Sequence, residues 1–450
     1  MPRFLLENFG CRATQADGAA LELELEQRGL LRAATFADAD VVVLNTCTVT
    51  AAADQDARAA IRRVQRQNPA AKILVTGCYA QRAPQEVAAL PGVTWVAGNS
   101  HKHLVPEILA PRGDTFVPLE TLKLSSPRIA VGDIFAHTEL IAAPVFNGDD
   151  LGTRTRPNLK VQDGCDNRCS FCIIPSVRGH SRSMKLGRVI DEANALAQAG
   201  YKEIVLSGIN LGRWGRDLEP AQRFEQLLRA LLEHTSIEKI RISSVEPMDW
   251  SDELIALAAG SPRVAKHAHV PLQSGSDRIL RRMHRKYRPW HYAEKIRKIR
   301  EAMPDAAIGA DVMTGFPGET DELFEESRDF IARLPFTYLH VFTYSSRPGT
   351  PSASMSDQVP VETARERNRV LRELAAERNH AFRQSFVGRT LEVITLQTGG
   401  EGWTEALSDN YLKVRLEGEH PANQVLRVEA TELVTDGLAA EAIELVSSST

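Results

Sequence analysis

Apolar positions follow two rhythms along the chain. Up to about residue 110, short unbroken apolar runs alternate with stretches whose apolar residues recur every three or four positions. Val41-Val-Val-Leu-Asn-Thr and Ile73-Leu-Val-Thr-Gly are apolar on both faces, the pattern of buried parallel strands, and Phe4-Leu-Leu-Glu-Asn-Phe-Gly and Val93-Thr-Trp-Val read the same way. Between them the period predicts helices over 16–28, with Leu21 and Leu25 on one face, over 51–67 after the capping residues Thr48 and Thr50, and over 84–90. Strand–helix alternation at this spacing predicts a doubly wound parallel sheet, Rossmann-like or flavodoxin-like. It has no G-x-G-x-x-G loop, so a dinucleotide site is not expected.

The alternation stops over 111–153, where prolines and Asn147-Gly-Asp-Asp150 predict an irregular linker, and resumes over 154–384. There Leu159–Gln162, Glu203–Gly208, Lys239–Ser244, His267–Gln273, Ala307–Met313 and Tyr338–Tyr344 read as strands, each paired with a helical stretch. Six β/α units fall short of the eight of a closed barrel and predict an open, partial one, with its active site at the carboxyl ends of the strands. Polar residues at those ends become candidates: Ser207, Gly208 and Asn210; Ser243, Ser244 and Glu246; Gln273, Ser274 and Ser276; Asp311; and Ser345, Ser346 and Arg347. Ordinary loop polarity and capping is the competing reading for each. Gly315-Phe-Pro-Gly-Glu-Thr320 lacks the Lys-Ser/Thr ending of a phosphate loop and predicts a tight turn capped into the next helix by Thr320. Residues 361–384 form a charged helical stretch with Val370, Leu371 and Leu374 on one face. Over 385–450 the pattern changes to short alternating strands at Thr390–Leu396, Tyr411–Leu416, Val425–Ala430 and Thr431–Val434, a small β-barrel. The expected architecture is therefore α/β with three domains, 1–110, 154–384 and 385–450, joined by the linker.

Composition changes little in this picture. A chain of 450 residues is too long for one ordinary core. It has no apolar run of 18 residues, so no membrane partner is expected, and Glu7 sits where a signal peptide would have its apolar stretch. A cytoplasmic, reducing location follows as the expectation, and with it six cysteines that are not a disulfide framework.

Cys165, Cys169 and Cys172 are spaced C-x3-C-x2-C in a Gly- and Asn-rich loop. Three soft ligands with no nearby fourth suit a 4Fe–4S cluster with one iron left open; a structural zinc loop is the alternative. Cys11, Cys47 and Cys78 each fall just past a predicted strand end, and in an open parallel sheet those ends share the edge where ligands bind. They suit a second cluster, with three unrelated buried cysteines as the alternative.

The cysteine loop resembles that of radical S-adenosylmethionine (SAM) enzymes. Together with Gly10-Cys11, Asn45-Thr-Cys-Thr-Val-Thr, Gly77-Cys-Tyr-Ala-Gln, Ile242-Ser-Ser-Val-Glu-Pro, Pro271-Leu-Gln-Ser-Gly-Ser-Asp, Gly315-Phe-Pro-Gly-Glu-Thr and Tyr344-Ser-Ser-Arg-Pro-Gly-Thr, it makes the whole chain similar to the radical SAM methylthiotransferases. The resemblance implies a domain carrying an auxiliary cluster, a radical SAM core and a terminal barrel of the TRAM type. It implies two 4Fe–4S clusters, held by Cys11, Cys47 and Cys78 and by Cys165, Cys169 and Cys172, and SAM bound with help from Ser207, Gly208, Ser243 and Gln273. It also implies an electron donor such as flavodoxin or ferredoxin, and a sulfur donor. In such enzymes a 5′-deoxyadenosyl radical removes hydrogen from an unactivated C–H. The motifs are most similar to the branch that methylthiolates C2 of N6-threonylcarbamoyladenosine at position 37 of tRNA. Action on isopentenyladenosine at that position, or on a ribosomal-protein side chain, is the alternative; a non-catalytic iron–sulfur RNA-binding protein is a weaker one. One departure is Thr14, where the family usually has Asn three residues after the first Cys.

For tRNA, charge is informative only locally. The net charge of −4 gives no global attraction to phosphate. Between 154 and 188 bases dominate, including Arg154, Arg178 and Arg182, and a second basic run holds Arg281, Arg282 and Arg285. From 385 onward four bases face eleven acids, which leaves Lys413 with Arg415 as a local basic spot. These seven residues from Arg178 to Arg415 are the candidate RNA contacts, with solvated faces as the alternative.

Overall fold

The computed structural model describes residues 1–111, 128–136 and 155–445. Arg154, most of the expected linker and the last five residues lie outside the described residues. The chain divides into two compact units. One comprises 1–144, 160–183 and 345–354; the other 145–159, 184–344 and 355–450.

The first unit is built on a parallel sheet of six strands: β1 (Arg3–Asn8), β2 (Leu31–Arg32), β3 (Val41–Thr46), β4 (Lys72–Gly77), β5 (Val93–Gly98) and β6 (Arg128–Ala130). Their order is β2-β1-β3-β4-β5-β6, the flavodoxin-like arrangement. All six residues of β3 are buried, because helices cover both faces: Ile61 and Val64 pack on one side with Val42, Leu44, Ile73 and Val75, and Leu21 and Leu25 on the other with Phe4, Val43 and Leu74. The helix Ala51–Gln67 keeps its predicted bounds, and the Thr50 side chain accepts from the Ala53 N–H at its start. β6 forms within the stretch whose composition predicted irregular chain.

The cysteine loop belongs to this same unit. It runs from the end of β7 (Asn158–Asp163) through the one-turn helix Ile174–Arg178 to β8 (Arg182–Ser183), which folds back antiparallel on Gln162 and Asp163. Sequence patterning did not predict β8, which is two residues long.

The second unit contains β9 (Glu203–Gly208) and β10 (Lys239–Ile242), a parallel pair, and β11 (His267–His269), β12 (Ala307–Thr314) and β13 (Tyr338–Thr343), a parallel trio. Bridges from Ile240 to Val264 and from Ser244 to His269 join the two sets. With β7 these are the six expected strands. The Gly315–Thr320 segment is the predicted turn: Gly315 and Gly318 have positive φ, and Thr320 caps the helix Asp321–Arg333 through the Leu323 N–H.

The helix Val361–Gln384 buries Ala364, Arg367, Asn368, Leu371 and Ala375, a stripe one position off the predicted face. Arg367 is buried because Glu319 and Asp321 pair with it. The last five strands, β14 (Thr390–Gly400), β15 (Trp403–Ser408), β16 (Lys413–Glu417), β17 (Val425–Val434) and β18 (Gly437–Leu445), close into a barrel in the order β14-β15-β16-β18-β17. Two of them were missed and two predicted strands are one. β18 is rich in Ala and Glu, poor strand formers that closure of the barrel overrides, and β17 runs unbroken through Ala430-Thr431 beside a register shift. Part of the barrel's acidity is used inside the unit: Asp409 and Glu392 pair with Lys239, and the Ser408 and Asp409 carbonyls accept from Arg241.

Candidate functional site

All six cysteines lie in the first unit. Cys11, Cys47 and Cys78 follow β1, β3 and β4 by a few residues at most, so all three stand at the carboxyl edge of the sheet. β1 and β3 flank the point where strand order reverses, the place where open α/β sheets bind ligands. Gly10 makes the approach of the first two possible. Its φ is +99°, and a Cβ there would lie 2.6 Å from the Cys47 Cβ and 2.8 Å from its Sγ.

The cysteine loop that carries the second trio packs against Cys78. Ile173 and Val177 of the cysteine loop form an apolar cluster with Cys78. Asn99 spans the two segments, its side-chain N–H donating to the Cys78 Sγ at 3.4 Å and to the Val177 carbonyl at 2.8 Å. The loop closes on itself through the Cys165 N–H to the Gly179 carbonyl and the Cys172 N–H to the Cys169 carbonyl. The Ser352 N–H donates to the Ser170 carbonyl at 2.9 Å, which ties 345–354 to the loop.

Beneath the thiols lies a buried ionic network. Arg178, 2% exposed, donates through Nη1 to both Asp163 oxygens at 2.9 and 3.1 Å and through Nη2 to Asp17 at 3.1 Å and to the Thr14 hydroxyl at 3.3 Å. Lys102 and Lys160 also reach Asp17. Burial opposes charge on Asp17 and Asp163, but the surrounding cations overcome it and hold both carboxyls well below the usual range. Burial likewise opposes charge on Arg178, and Asp163, Cys78, Asp17 and Cys11 together hold its pKa high. Arg182 stands 3.9 Å from Asp163, so four cations face two carboxylates and leave positive charge in excess, with Arg178 beside Cys78 and Cys11. Thr14 hydroxyl lies 3.5 Å from the Cys11 Sγ, so the residue at the departing position joins thiol to network.

This donor set suits an iron–sulfur cluster. Burial and the neighbouring Cys78 thiol push the Cys47 thiol up to about 12, so Cys47 carries its proton until a metal displaces it. The positive excess then has an anionic thiolate-ligated group to face, which three neutral thiols would not provide.

The SAM-contact candidates all lie in the second unit. Ser207 and Gly208 end β9, and Ser243 follows β10 beside them, its N–H donating to the Leu206 carbonyl. Gln273 bridges to Val312, adopts a left-handed φ of +68°, and keeps its Oε1 buried without a hydrogen-bond partner. A non-Gly residue in that conformation marks a site whose surroundings dictate it.

The structure corrects three of the expected RNA contacts. Arg178 is consumed by the network just described. Arg182 is mostly covered and donates to the Arg178 and His180 carbonyls. Arg285 is buried against Glu246 and the Tyr287 hydroxyl. Arg182 is drawn inside by carbonyls of its own loop, and Arg178 and Arg285 by acids distant in sequence. Arg347 is internal in the same way, held by Thr48 and Asp54. Arg281, Lys413 and Arg415 are exposed, Arg282 half so. The Arg415 guanidinium lies 4.8 Å over the Trp403 ring, and both line a shallow pocket with Lys413.

Sequence reasoning missed Asp17, Lys102 and Asn99, and counted Lys160 with the basic run, whereas it is buried against Asp17 and Asp163. Only Asp163 carried a local signal, its place at the head of the cysteine loop.

Comparison with known proteins agrees with this arrangement. The Radical SAM superfamily matches residues 159–331, and a family described as uncharacterized protein family UPF0004 matches 3–98. A threonylcarbamoyladenosine tRNA methylthiotransferase of Aquifex aeolicus is 37% identical, over 94% of this chain and 98% of the relative. Its namesake in Bacillus subtilis is 37% identical over 93% and 91%. A tRNA-2-methylthio-N(6)-dimethylallyladenosine synthase of Thermobifida fusca is 36% identical over 89% and 78%. The radical SAM methyltransferase TsrM of Kitasatospora setae shares the fold at 15% identity, with a TM-score of 0.55 over 78% of this chain and 77% of that one. Among the described residues no helix is long and apolar enough to cross a membrane.

Proposed function

The chain belongs to the radical SAM methylthiotransferase family, and from that premise we propose that it transfers a methylthio group to C2 of N6-threonylcarbamoyladenosine at position 37 of tRNA. The observation that carries the choice of nucleoside is the extent of the match. It spans 98% and 91% of two relatives named for threonylcarbamoyladenosine, and 78% of one named for the dimethylallyl form.

In this reading Cys165, Cys169 and Cys172 hold a 4Fe–4S cluster with one iron open to SAM, and Cys11, Cys47 and Cys78 hold a second. When bound, these groups supply one-electron chemistry that reaches an aromatic C–H closed to acid–base catalysis. The chain's own residues provide charge, geometry and shelter. Arg178, Lys102 and Lys160 give the auxiliary thiolates a positive neighbour, and Asn99 donates a hydrogen bond to one of their sulfurs, a contact that tunes a cluster's potential. Gly208 permits close backbone approach of SAM, Ser207 and Ser243 offer hydroxyls, and the unpartnered Gln273 oxygen accepts a hydrogen bond from it. An electron donor such as flavodoxin or ferredoxin and a sulfur donor complete the reaction. An adenosine in the anticodon loop is unpaired, so bringing its C2 edge to the site costs unstacking alone, a few kcal/mol. Arg281, Arg282, Lys413 and Arg415 remain available to its phosphates.

The test is reconstituted enzyme with two anticodon stem-loops, one carrying the threonylcarbamoyl and one the isopentenyl adenosine. Nucleoside mass spectrometry should find the methylthio product from the first. Modification of the isopentenyl form alone refutes the proposal, and modification of neither favours a protein substrate. Cys169→Ala should abolish reductive SAM cleavage, whereas Cys47→Ala should retain it and lose the product. Iron should approach roughly eight per chain, as two 4Fe–4S sites require.

A further inference from the structure

A cluster of metal-binding side chains lies in the second unit, which holds none of the six cysteines. His269 on β11, Asp311 on β12 and His340 on β13 share one face of the parallel trio, since His269 pairs with Gly309, two residues before Asp311, and Asp311 pairs with His340. Their ligand atoms all lie within 4.8 Å of one another. His269 Nε2 is 3.3 Å and His340 Nδ1 is 3.4 Å from the same oxygen, Asp311 Oδ1.

These separations are long for a charge-assisted hydrogen bond, which runs about 2.7–2.9 Å. They match the edge of a coordination shell: ligands roughly 2.1 Å from zinc stand about 3.4 Å apart at tetrahedral angles. The His269 Nε2 is buried and makes no hydrogen bond, although it faces a carboxylate oxygen. Asp311 Oδ1 faces a ring nitrogen of both histidines, so three ligand atoms converge on one point.

The surroundings hold the rings in this position. Gly309 has no Cβ to collide with the Tyr338 ring, which fills that space 1.9 Å from where the Cβ would be. Tyr338 hydroxyl bonds His267 Nε2 at 2.7 Å, and its ring packs against both His269 and His340.

We propose that His269, Asp311 and His340 bind a divalent transition-metal ion of the zinc class. Two imidazoles and one carboxylate are a sufficient set for such an ion, and they leave a coordination position open to water or an oxygen ligand. The site is independent of which nucleoside is modified.

The probe is zinc. Cluster-reconstituted holoenzyme, full length, is dialysed against a zinc buffer, and zinc and iron per chain are measured together. Wild type should retain one zinc more than His340→Ala and Asp311→Asn, with iron equal in all three. His340 is exposed, so its replacement leaves the fold intact and isolates the ligand. A third variant, His291→Ala, changes an exposed histidine elsewhere in the same unit and should retain wild-type zinc. Equal zinc in wild type and both ligand variants, or none in wild type, overturns the proposal and leaves Asp311 as the ion-pair partner of two histidines. Loss of iron along with zinc would assign the zinc to cysteine sites and overturn it equally.

Discussion

Arg178 stands 161 residues from Asp17 along the chain and 15 from Asp163, yet the three form one buried contact. Removing Arg178 takes its hydrogen bonds from Asp163 and Asp17 but leaves Lys160 beside both, so the cost is that of lost hydrogen bonds between charged groups, about 1.5–3 kcal/mol. Arg178→Met should lower the stability of the first unit by that amount, read from urea unfolding, and Arg178→Lys by less. The pH dependence has a definite sign. Asp17 and Asp163 are held below the ordinary carboxylate range, so the stability they carry is complete above about pH 4 and declines as pH falls beneath it. Without the guanidinium their pKa values rise toward the ordinary range, and the deficit of Arg178→Met against wild type should hold steady from pH 7 to about pH 4 and shrink as pH falls below it. A deficit that grows on acidification would show that the carboxylates do not face Arg178. Cys47 makes a second residue-level prediction. Burial and the Cys78 thiol push its thiol up, so little of Cys47 is thiolate at pH 8, and the thiolate is what alkylates. In iron-free protein, iodoacetamide should label the exposed Cys11 well before Cys47, as mapped by peptide mass spectrometry.

Elements were legible where one local rule decided them. The helix 51–67 had a cap, a period and a strand on each side, and its bounds needed nothing further. The three cysteines past β1, β3 and β4 were placed by the same reasoning, because a parallel sheet puts all its carboxyl ends on one edge. β15 and β18 were not legible, since their strand state comes from partners that close the barrel rather than from their own residues. The arginines show the same limit in charge: a run of bases is visible in sequence, but the acids that bury Arg178, Arg285 and Arg347 are not adjacent to them. What survives as RNA surface is narrower and testable. Lys413→Ala and Arg415→Ala on β16 should each weaken tRNA binding uniformly across sequences and reduce the salt slope by about one. Unchanged affinity and slope in the double variant would make the Trp403–Arg415 pocket a feature of the barrel surface alone.

At the scale of the whole molecule, all six thiols fall in one of two compact units. Metal bound there stabilises that unit by mass action and leaves the other untouched. Calorimetry of reconstituted and iron-free enzyme should therefore show one transition that moves down on iron removal and one that holds its midpoint; joint movement of both would refute the assignment. The make-up of that unit also constrains its birth on the ribosome. Its sheet is complete by residue 130, but its cysteine loop arrives from 160–183 and its last segment, with Arg347 against Asp54 across 293 residues, comes only with 345–354. At about 5–20 residues per second, an interval of about 17–67 seconds separates Cys11 from the segment that ties down the loop. During that interval most of the second unit is being synthesised, and the nascent thiols wait in a half-built pocket. The walls around the six thiols are thus complete only at a late stage of translation, in the order in which the chain supplies them.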